Sequence, residues 1–268
     1  MAEAHPADRP QDVAACLFIA FSVGASSLVR SPDVALESFA PMASRLATAP
    51  GFVGLRAHVP SDADDPYLKD TDAPGLVLQL YFDGVDALRD QGREGSALAR
   101  ESASVWPSEI ERSARMPAAS HDAGNAARPL APAATWQAMQ VERIELAASE
   151  PLPEVHCTYL VAYDGTSPDE AAWHAHYAEH HVPLMKRLPG LRQLELYRPL
   201  GIELAMPALR SFERSGAMQR NKVVFDSPQA LTAALNSPIR HEMRKDYRQS
   251  PPFEGRSTHH PMATRSWP

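Results

Sequence analysis

The feature that most constrains this chain is an internal repeat. Cys16-Leu-Phe-Ile-Ala-Phe-Ser-Val-Gly24 lines up with Cys157-Thr-Tyr-Leu-Val-Ala-Tyr-Asp-Gly165, and Ser31-Pro-Asp33 with Ser167-Pro-Asp169. Phe39-Ala-Pro-Met-Ala-Ser-Arg-Leu46 then matches His181-Val-Pro-Leu-Met-Lys-Arg-Leu188, and each is followed by Pro-Gly and an apolar residue, Phe52 or Leu191. Leu80-Tyr-Phe-Asp83 and Val223-Val-Phe-Asp226 precede Ala87-Leu88 and Ala230-Leu231. These matches keep one order at a displacement of about 140 residues, which marks two copies of one supersecondary unit.

Each copy reads as strand, helix, strand, strand, helix, strand. In the second copy, His156 to Tyr163 is rich in β-branched and aromatic residues, as a strand requires. Ser167 and Pro168 supply an N-cap and a proline at the first helical position. The helix runs to about Leu188 with Trp173, Tyr177, Leu184 and Leu188 on one face, and Pro189-Gly190 stops it. Leu194 and Leu196 alternate with Gln193 and Glu195 in a second strand. Asn221 to Phe225 forms a third, Asp226-Ser227-Pro228 caps a second helix, and Ser257 to Thr264 closes the unit. In the first copy Val13 to Val23 opens the unit and Thr135 to Leu146 closes it. Loops at 61–74 and 200–220 fall at equivalent places, Met116 to Ala134 reads as a linker, and residues 1–12 as a flexible lead-in. The domains are therefore 13–147 and 148–268.

A unit of this order packs its helices on one face of a four-stranded antiparallel sheet and leaves the other face, expected to be apolar, uncovered. Two units in one chain can cover each other sheet to sheet as a barrel enclosing a pocket. The alternative is pairing with a second chain, so the expectation is a monomer with an internal pseudo-dimer or a homodimer. The balance of 26 Lys and Arg against 33 Asp and Glu offers no basic field for nucleic acid or anionic lipid. Without a basic n-region or a hydrophobic stretch of spanning length, the expectation is a cytoplasmic protein with reduced cysteines and no membrane partner. Two cysteines are too few for a disulfide framework, and no phosphate loop, nucleophile elbow or dinucleotide fingerprint is present.

Trp173-His-Ala-His-Tyr-Ala-Glu-His-His-Val-Pro-Leu-Met-Lys-Arg-Leu-Pro-Gly-Leu-Arg192, followed by Val223-Val-Phe-Asp-Ser-Pro-Gln-Ala-Leu231, resembles the EthD-like family of the dimeric α/β barrel superfamily. The first half resembles the pattern weakly, through Ala40-Pro41-Met42, Pro50-Gly51 and Phe82-Asp83. The resemblance implies an α+β fold in which two ferredoxin-like β-α-β-β-α-β repeats form an intrachain, pseudo-dimeric α/β barrel, the first repeat degenerate. It implies a pocket between sheet and helices with His181 on it. Relatives include cofactor-free isomerases, decarboxylases and cyclases of aromatic or polyketide compounds. The tyrosine that the isomerases carry in the following strand is Leu194 here.

His181 is the leading candidate for proton transfer, because a neutral imidazole can take or give a proton near pH 7. Its counterpart in the first copy is Phe39, so the halves differ where chemistry would sit. Tyr177, one turn earlier, could present its hydroxyl to a substrate carbonyl, and Trp173 shares its helix face. His259 and His260 must point to opposite faces of the last strand. His260 is the one favoured for catalysis, with His259 and His156 as pocket-lining residues and Arg192 as a carboxylate ligand. For each histidine the competing reading is a hydrogen-bonded structural residue. His174, His176, Glu179 and His180 could suggest a metal site, but a solvated polar face is the preferred reading, so no metal and no cofactor are expected. The expected function is cofactor-independent lyase or isomerase chemistry on an aromatic or polyketide-like carboxylate, by decarboxylation, elimination or proton-transfer isomerisation. The alternatives are a cofactor-free barrel monooxygenase and a non-catalytic small-molecule-binding or stress-response protein.

Overall fold

Eight antiparallel strands close into a barrel in the computed structural model, which describes residues 15–22, 32–68, 70, 73–104, 133–146, 150–200 and 204–268. The strands are β1 (Ala15–Ser22), β2 (Phe52–Pro60), β3 (Leu76–Phe82), β4 (Ala133–Arg143), β5 (Val155–Thr166), β6 (Gln193–Pro199), β8 (Ala217–Phe225) and β9 (Glu254–Trp267). A two-residue β7 (Glu213–Arg214) runs parallel to β4 outside the ring. The hydrogen-bonded order is β1-β3-β2-β9-β5-β8-β6-β4, and β4 returns to β1. Strands of the first half therefore run β4-β1-β3-β2 and those of the second β9-β5-β8-β6. The halves join where β2 meets β9 and β4 meets β6.

β9 is longer than the predicted Ser257 to Thr264 because it serves both halves. It pairs with β5 from Glu254 to Arg265 and with β2 from Met262 to Trp267. Along it His259 and Ala263 face the helices, while Thr258, His260, Met262 and Thr264 face the barrel interior, as a two-residue period demands. β8 begins at Ala217 rather than Asn221, so the loop predicted to reach Arg220 is shorter. The linker predicted over Met116 to Ala134 and residues 1–12 lie outside the described residues, except that 133–134 belong to β4.

Helices cover the outer faces. In the first half they are Pro32–Glu37, Ala40–Leu46, Val85–Gln91 and Ala97–Ser104. In the second they are Glu170–His176, a π-helical turn Tyr177–His181, Val182–Met185, Pro228–Leu235 and Pro238–Tyr247. Asp169, not Ser167, caps the first of these, accepting the amide of Ala172 at 2.9 Å, because Ser167 Oγ donates instead to Pro252 O at 2.7 Å. Ser227 caps Pro228–Leu235 as the Ser-Pro pair predicts, accepting from Ala230 N–H at 3.2 Å. Separate apolar cores lie under the two helical layers, Leu36, Phe39, Met42 and Leu80 in one, Trp173, Tyr177, Leu231 and Phe225 in the other.

Both Pro-Gly turns use glycine's access to positive φ, at +71° in Gly51 and +75° in Gly190. At Gly51 a Cβ would meet Ala87 Cβ at 2.3 Å and Asp83 Oδ1 at 2.6 Å, whereas at Gly190 the nearest atom is Phe225 Cδ1 at 4.0 Å. Gly190→Ala should therefore cost only the backbone term of about 1–2 kcal/mol. Gly51→Ala adds overpacking of similar size and should lose clearly more. Comparing the two variants by urea denaturation checks the order.

The barrel interior departs from the predicted apolar face. Glu195 is buried there, accepting from Tyr81 Oη at 2.8 Å, Lys222 Nζ at 2.8 Å and Arg143 Nε at 3.0 Å. Gln79 donates to Tyr197 Oη at 2.9 Å, and its Oε1 lies 2.8 Å from His58 Nε2. His58 Nδ1 lies 2.8 Å from Thr264 Oγ1, which bonds Thr158 Oγ1 at 2.7 Å. A polar chain thus crosses from β6 and β8 through β3 and β2 to β9 and β5, joining strands of both halves. Buried polar groups are tolerated here because each finds a partner. Both cysteines are buried and free, and burial pushes the Cys157 thiol up to about 12, which suits packing rather than nucleophilic chemistry. Among the described residues, no helix is long and apolar enough to cross a membrane.

Candidate active site

The connections between second and third strands are exchanged across the barrel. Residues 61–68 and 70 leave β2 and lie on the second half, where Asp64 N–H donates to Thr232 Oγ1 at 3.0 Å and Asp65 pairs with Arg240 at 3.1 Å. Residues 204–212 of the second half lie on the first, where Ala208 N–H donates to Gly92 O at 2.9 Å. That second connection is apolar, and Leu204, Met206 and Leu209 pack into the same core as Phe39. The connection over the second half is polar and aromatic. Beneath it a crevice of about 290 Å³ opens between sheet and helix. Its walls include Tyr67, His181, Arg240, Arg244, Tyr247 and His259. An inner chamber of about 30 Å³ shares His181, Arg240 and His259 and is otherwise mostly apolar, with Val161, Met185 and Leu231 among its walls.

His181 ends the π-helical turn that begins at Tyr177. Such turns are frequent at functional sites, because the extra residue re-aims side chains within a helix. The two rings lie 4.7 Å apart. His181 Nδ1 stands 2.8 Å from Asp246 Oδ2, on the helix Pro238–Tyr247. Burial lowers the His181 pKa, and the hydrogen bond and charge of Asp246 oppose that without overcoming it. The imidazole is therefore neutral at pH 7. A carboxylate can only accept, which places the proton on Nδ1 and leaves the Nε2 lone pair as a base. His176 Nε2 lies 3.2 Å from the other Asp246 oxygen, without hydrogen-bond alignment.

Tyr177 is buried, and burial pushes its hydroxyl well above the usual range. It accepts from Asn221 Nδ2 at 2.7 Å, and Tyr163 Oη lies 3.5 Å away. His259 joins His181 on the crevice. Its backbone N–H donates to Asp70 Oδ2 at 2.6 Å, and burial, reinforced by the Arg240 charge, lowers its pKa to about 3. Asp65 accepts from the amides of Tyr67 at 2.7 Å and Leu68 at 3.1 Å, and from Tyr159 Oη. Burial would raise its carboxyl, but these donors and Arg240 together hold it below the ordinary value.

Four predicted site residues fall elsewhere. His260 lines a cavity of about 210 Å³ in the barrel mouth with Phe18, Thr258 and Arg220, so the sheet separates it from His181. His156 borders a separate groove with Val155 and Asp226, its Nδ1 3.2 Å from Pro153 O, and burial lowers its pKa to about 4. Trp173 is buried in the second core, its ring stacked on Tyr177 at 5.1 Å, and lines neither part of the crevice. Arg192 is committed to Asp226 and to the carbonyls of Glu150 and Pro151. Among the described residues, no group of three His, Cys, Asp or Glu side chains is placed to hold a metal ion.

The sequence reading missed Asp246, Arg240, Arg244 and Arg248. The arginines had a signal in their four-residue spacing, which puts them on one side of a helix. Asp246 had none, because its partner is 65 residues away.

No family model matches the chain, and no curated protein matches it in sequence. Solved structures do match. An anthrone oxidase-like protein aligns over 96% of this chain and 94% of its own at 15% identity, with a TM-score of 0.53. A candidate monooxygenase from Fusobacterium nucleatum subsp. nucleatum aligns over 94% and 93% at 9% identity, with a TM-score of 0.53. An ethyl tert-butyl ether (ethd) family protein from Bacillus halodurans C-125 covers 38% of this chain and 96% of its own at 19% identity, and its TM-score of 0.30 decides nothing. The chain therefore shares its fold, an antiparallel barrel closed within one chain and covered by helices, with the anthrone oxidase-like protein and the candidate monooxygenase.

Proposed function

We propose that the chain is a cofactor-independent lyase or isomerase acting in the cytoplasm on an aromatic or polyketide-like carboxylate. In this reading 13–147 and 148–268 are tandem copies of one ferredoxin-like EthD-type unit, and only the second keeps an active site. The carrying observation is the 2.8 Å contact of His181 Nδ1 with Asp246 on the wall of the crevice. His181 Nε2 takes a proton from a carbon made acidic by a neighbouring carbonyl or ring. The negative charge left on the substrate is stabilised by Arg240 and by any ring N–H that His259 presents. Returning the proton at another carbon gives isomerisation, and losing a group from the adjacent carbon gives elimination; if Nε2 instead takes the proton of a conjugated hydroxyl and delivers it to the carbon that carbon dioxide leaves, the result is decarboxylation. Tyr177 orients the His181 ring from below.

A second reading is cofactor-free oxygenation, in which the same carbanion reacts with dioxygen. The apolar inner chamber of about 30 Å³ beside His181 favours it, since a diatomic gas would fit such a space. The test is turnover of aromatic and polyketide-like carboxylates by the purified protein, followed by product mass, carbon dioxide release and oxygen uptake, with His181→Ala in parallel. Product without oxygen uptake, lost in the variant, supports the lyase or isomerase. Stoichiometric oxygen uptake moves the assignment to the oxygenase. Tight binding of these compounds without product from any of them overturns both in favour of a binding protein.

A further inference from the structure

We propose that the crevice grips its substrate by a carboxylate at the mouth, on Arg244 and Arg248, and that this carboxylate is retained in the product while the reacting carbon lies inward beside His181. The inference rests on the active-site reading above and narrows it.

The helix Pro238–Tyr247 and the residue after it turn Arg240, Met243, Arg244, Tyr247 and Arg248 toward the crevice, the spacing of one helix face. The three arginines are not equivalent. Arg240 is buried, reaches the inner chamber and is balanced by Asp65. Arg244 lies with its guanidinium 4.1 Å from the centre of the Tyr67 ring, which holds the side chain in place and leaves its donor edge open. Among the described residues neither Arg244 nor Arg248 pairs with a carboxylate, and no Asp or Glu lines the outer crevice. Neither residue lines the inner chamber.

Polarity therefore runs in one direction, from two guanidinium groups that pair with no described carboxylate, beside the half-exposed ring of Tyr247, to an apolar chamber behind His181. An amphiphilic ligand with an anionic group at one end and a ring at the other matches that gradient, and guanidinium forks suit carboxylate geometry. Orientation decides the chemistry. Arginine donors stabilise a carboxylate and lose that stabilisation as it becomes neutral carbon dioxide, so a carboxylate held there resists departure. The base instead meets a carbon at the far end of the molecule. This leaves isomerisation or elimination, and oxygenation in the second reading, with the carboxylate as a handle.

The test compares 2-naphthoate and 3-phenylpropionate with their primary amides, by isothermal titration on the whole protein. The protein should prefer each acid by about tenfold, with the preference shrinking as salt is raised. In Arg244→Gln/Arg248→Gln the preference should fall to within about twofold while amide affinity is unchanged. Equal affinity for acid and amide, binding of neither at millimolar concentration, or a preference that survives the double variant overturns the proposal. His181→Ala should keep the acid preference, so a failure of the catalytic reading is distinguishable from a failure of the anchor. For any carboxylate the protein turns over, a ¹³C label in the carboxyl group should remain in the product, and labelled carbon dioxide would overturn retention.

Discussion

Asp246→Asn is expected to lower kcat by about 10²- to 10⁴-fold while ligand affinity stays within a few-fold. An asparagine keeps the size of the side chain but can turn its amide nitrogen toward His181 Nδ1. That favours the tautomer with the proton on Nε2 and removes the lone pair that faces the crevice. The carboxylate also stabilises the imidazolium formed on proton transfer, and the amide does not. Two further readouts separate this from a loss of structure. The acid limb of kcat/KM reports the His181 pKa, which burial lowers and Asp246 raises, so the limb should move to lower pH in the variant. The double variant Asp246→Asn/His181→Ala should be no slower than His181→Ala alone, because the two groups act as one unit. A variant that folds, by near-ultraviolet circular dichroism, and turns over within threefold of the parent would remove His181 from the role of base.

What could be read from the chain beforehand depended on sequence distance. Most local signals held: Ser227-Pro228 caps a helix and both Pro-Gly turns carry a left-handed glycine, while Ser167-Pro168 loses its cap to Asp169. Alternation placed His259 and His260 on opposite faces, but it could not say that a loop from the other half would cover the His259 side. That cover comes from residues 61–68 and 70, in a stretch that reads locally as an acidic turn. Their function emerges only when Asp65 meets Arg240, 175 residues later. His181 was reachable through its motif and its contrast with Phe39. Asp246, which sets its tautomer, was not, since a helix turned toward a second helix leaves no mark on spacing. Glu195 misled for the opposite reason. Polar alternation against Leu194 and Leu196 marks a face not packed on helices, and in a closed barrel that face is interior.

The contrast between the halves follows from the exchanged connections. Leu204, Met206 and Leu209 close the first half with apolar contacts, whereas Asp65 and Tyr67 stand over the second and leave space beneath. Packing in the first half can thus stabilise a barrel whose second half carries a crevice walled by His181 and His259. Such a crevice costs stability, since its polar groups lose water.

The polar chain across the interior should be the other place where a single substitution has a large effect. Burial would raise the Glu195 carboxyl, but the charge and hydrogen bond of Lys222, with Tyr197 and Arg143, outweigh it and bring the pKa to about 2 from an ordinary 4.5. A depressed carboxylate stabilises the fold above its unfolded value and loses that contribution as pH falls through the folded one. That contribution is fully present above pH 4.5 and progressively lost toward pH 2. Glu195→Gln should therefore destabilise the protein by about 3–5 kcal/mol at neutral pH, because it leaves the buried Lys222 ammonium without its counter-charge. For a chain of this size that is a fall of roughly 10 °C in melting temperature. Lys222→Met should cost less, since Glu195 keeps Arg143 and the hydroxyls of Tyr81 and Tyr197. Glu195→Leu/Lys222→Met should recover much of the loss, because a buried pair replaced by apolar groups no longer pays for desolvation. Melting curves of the three variants at pH 7 and pH 3 test all of this. The gap between the parent and Glu195→Gln should narrow at the lower pH, where Glu195 of the unfolded chain takes up a proton and the folded carboxylate does not. A Glu195→Gln protein as stable as the parent at pH 7 would mean that the barrel does not depend on this ion pair.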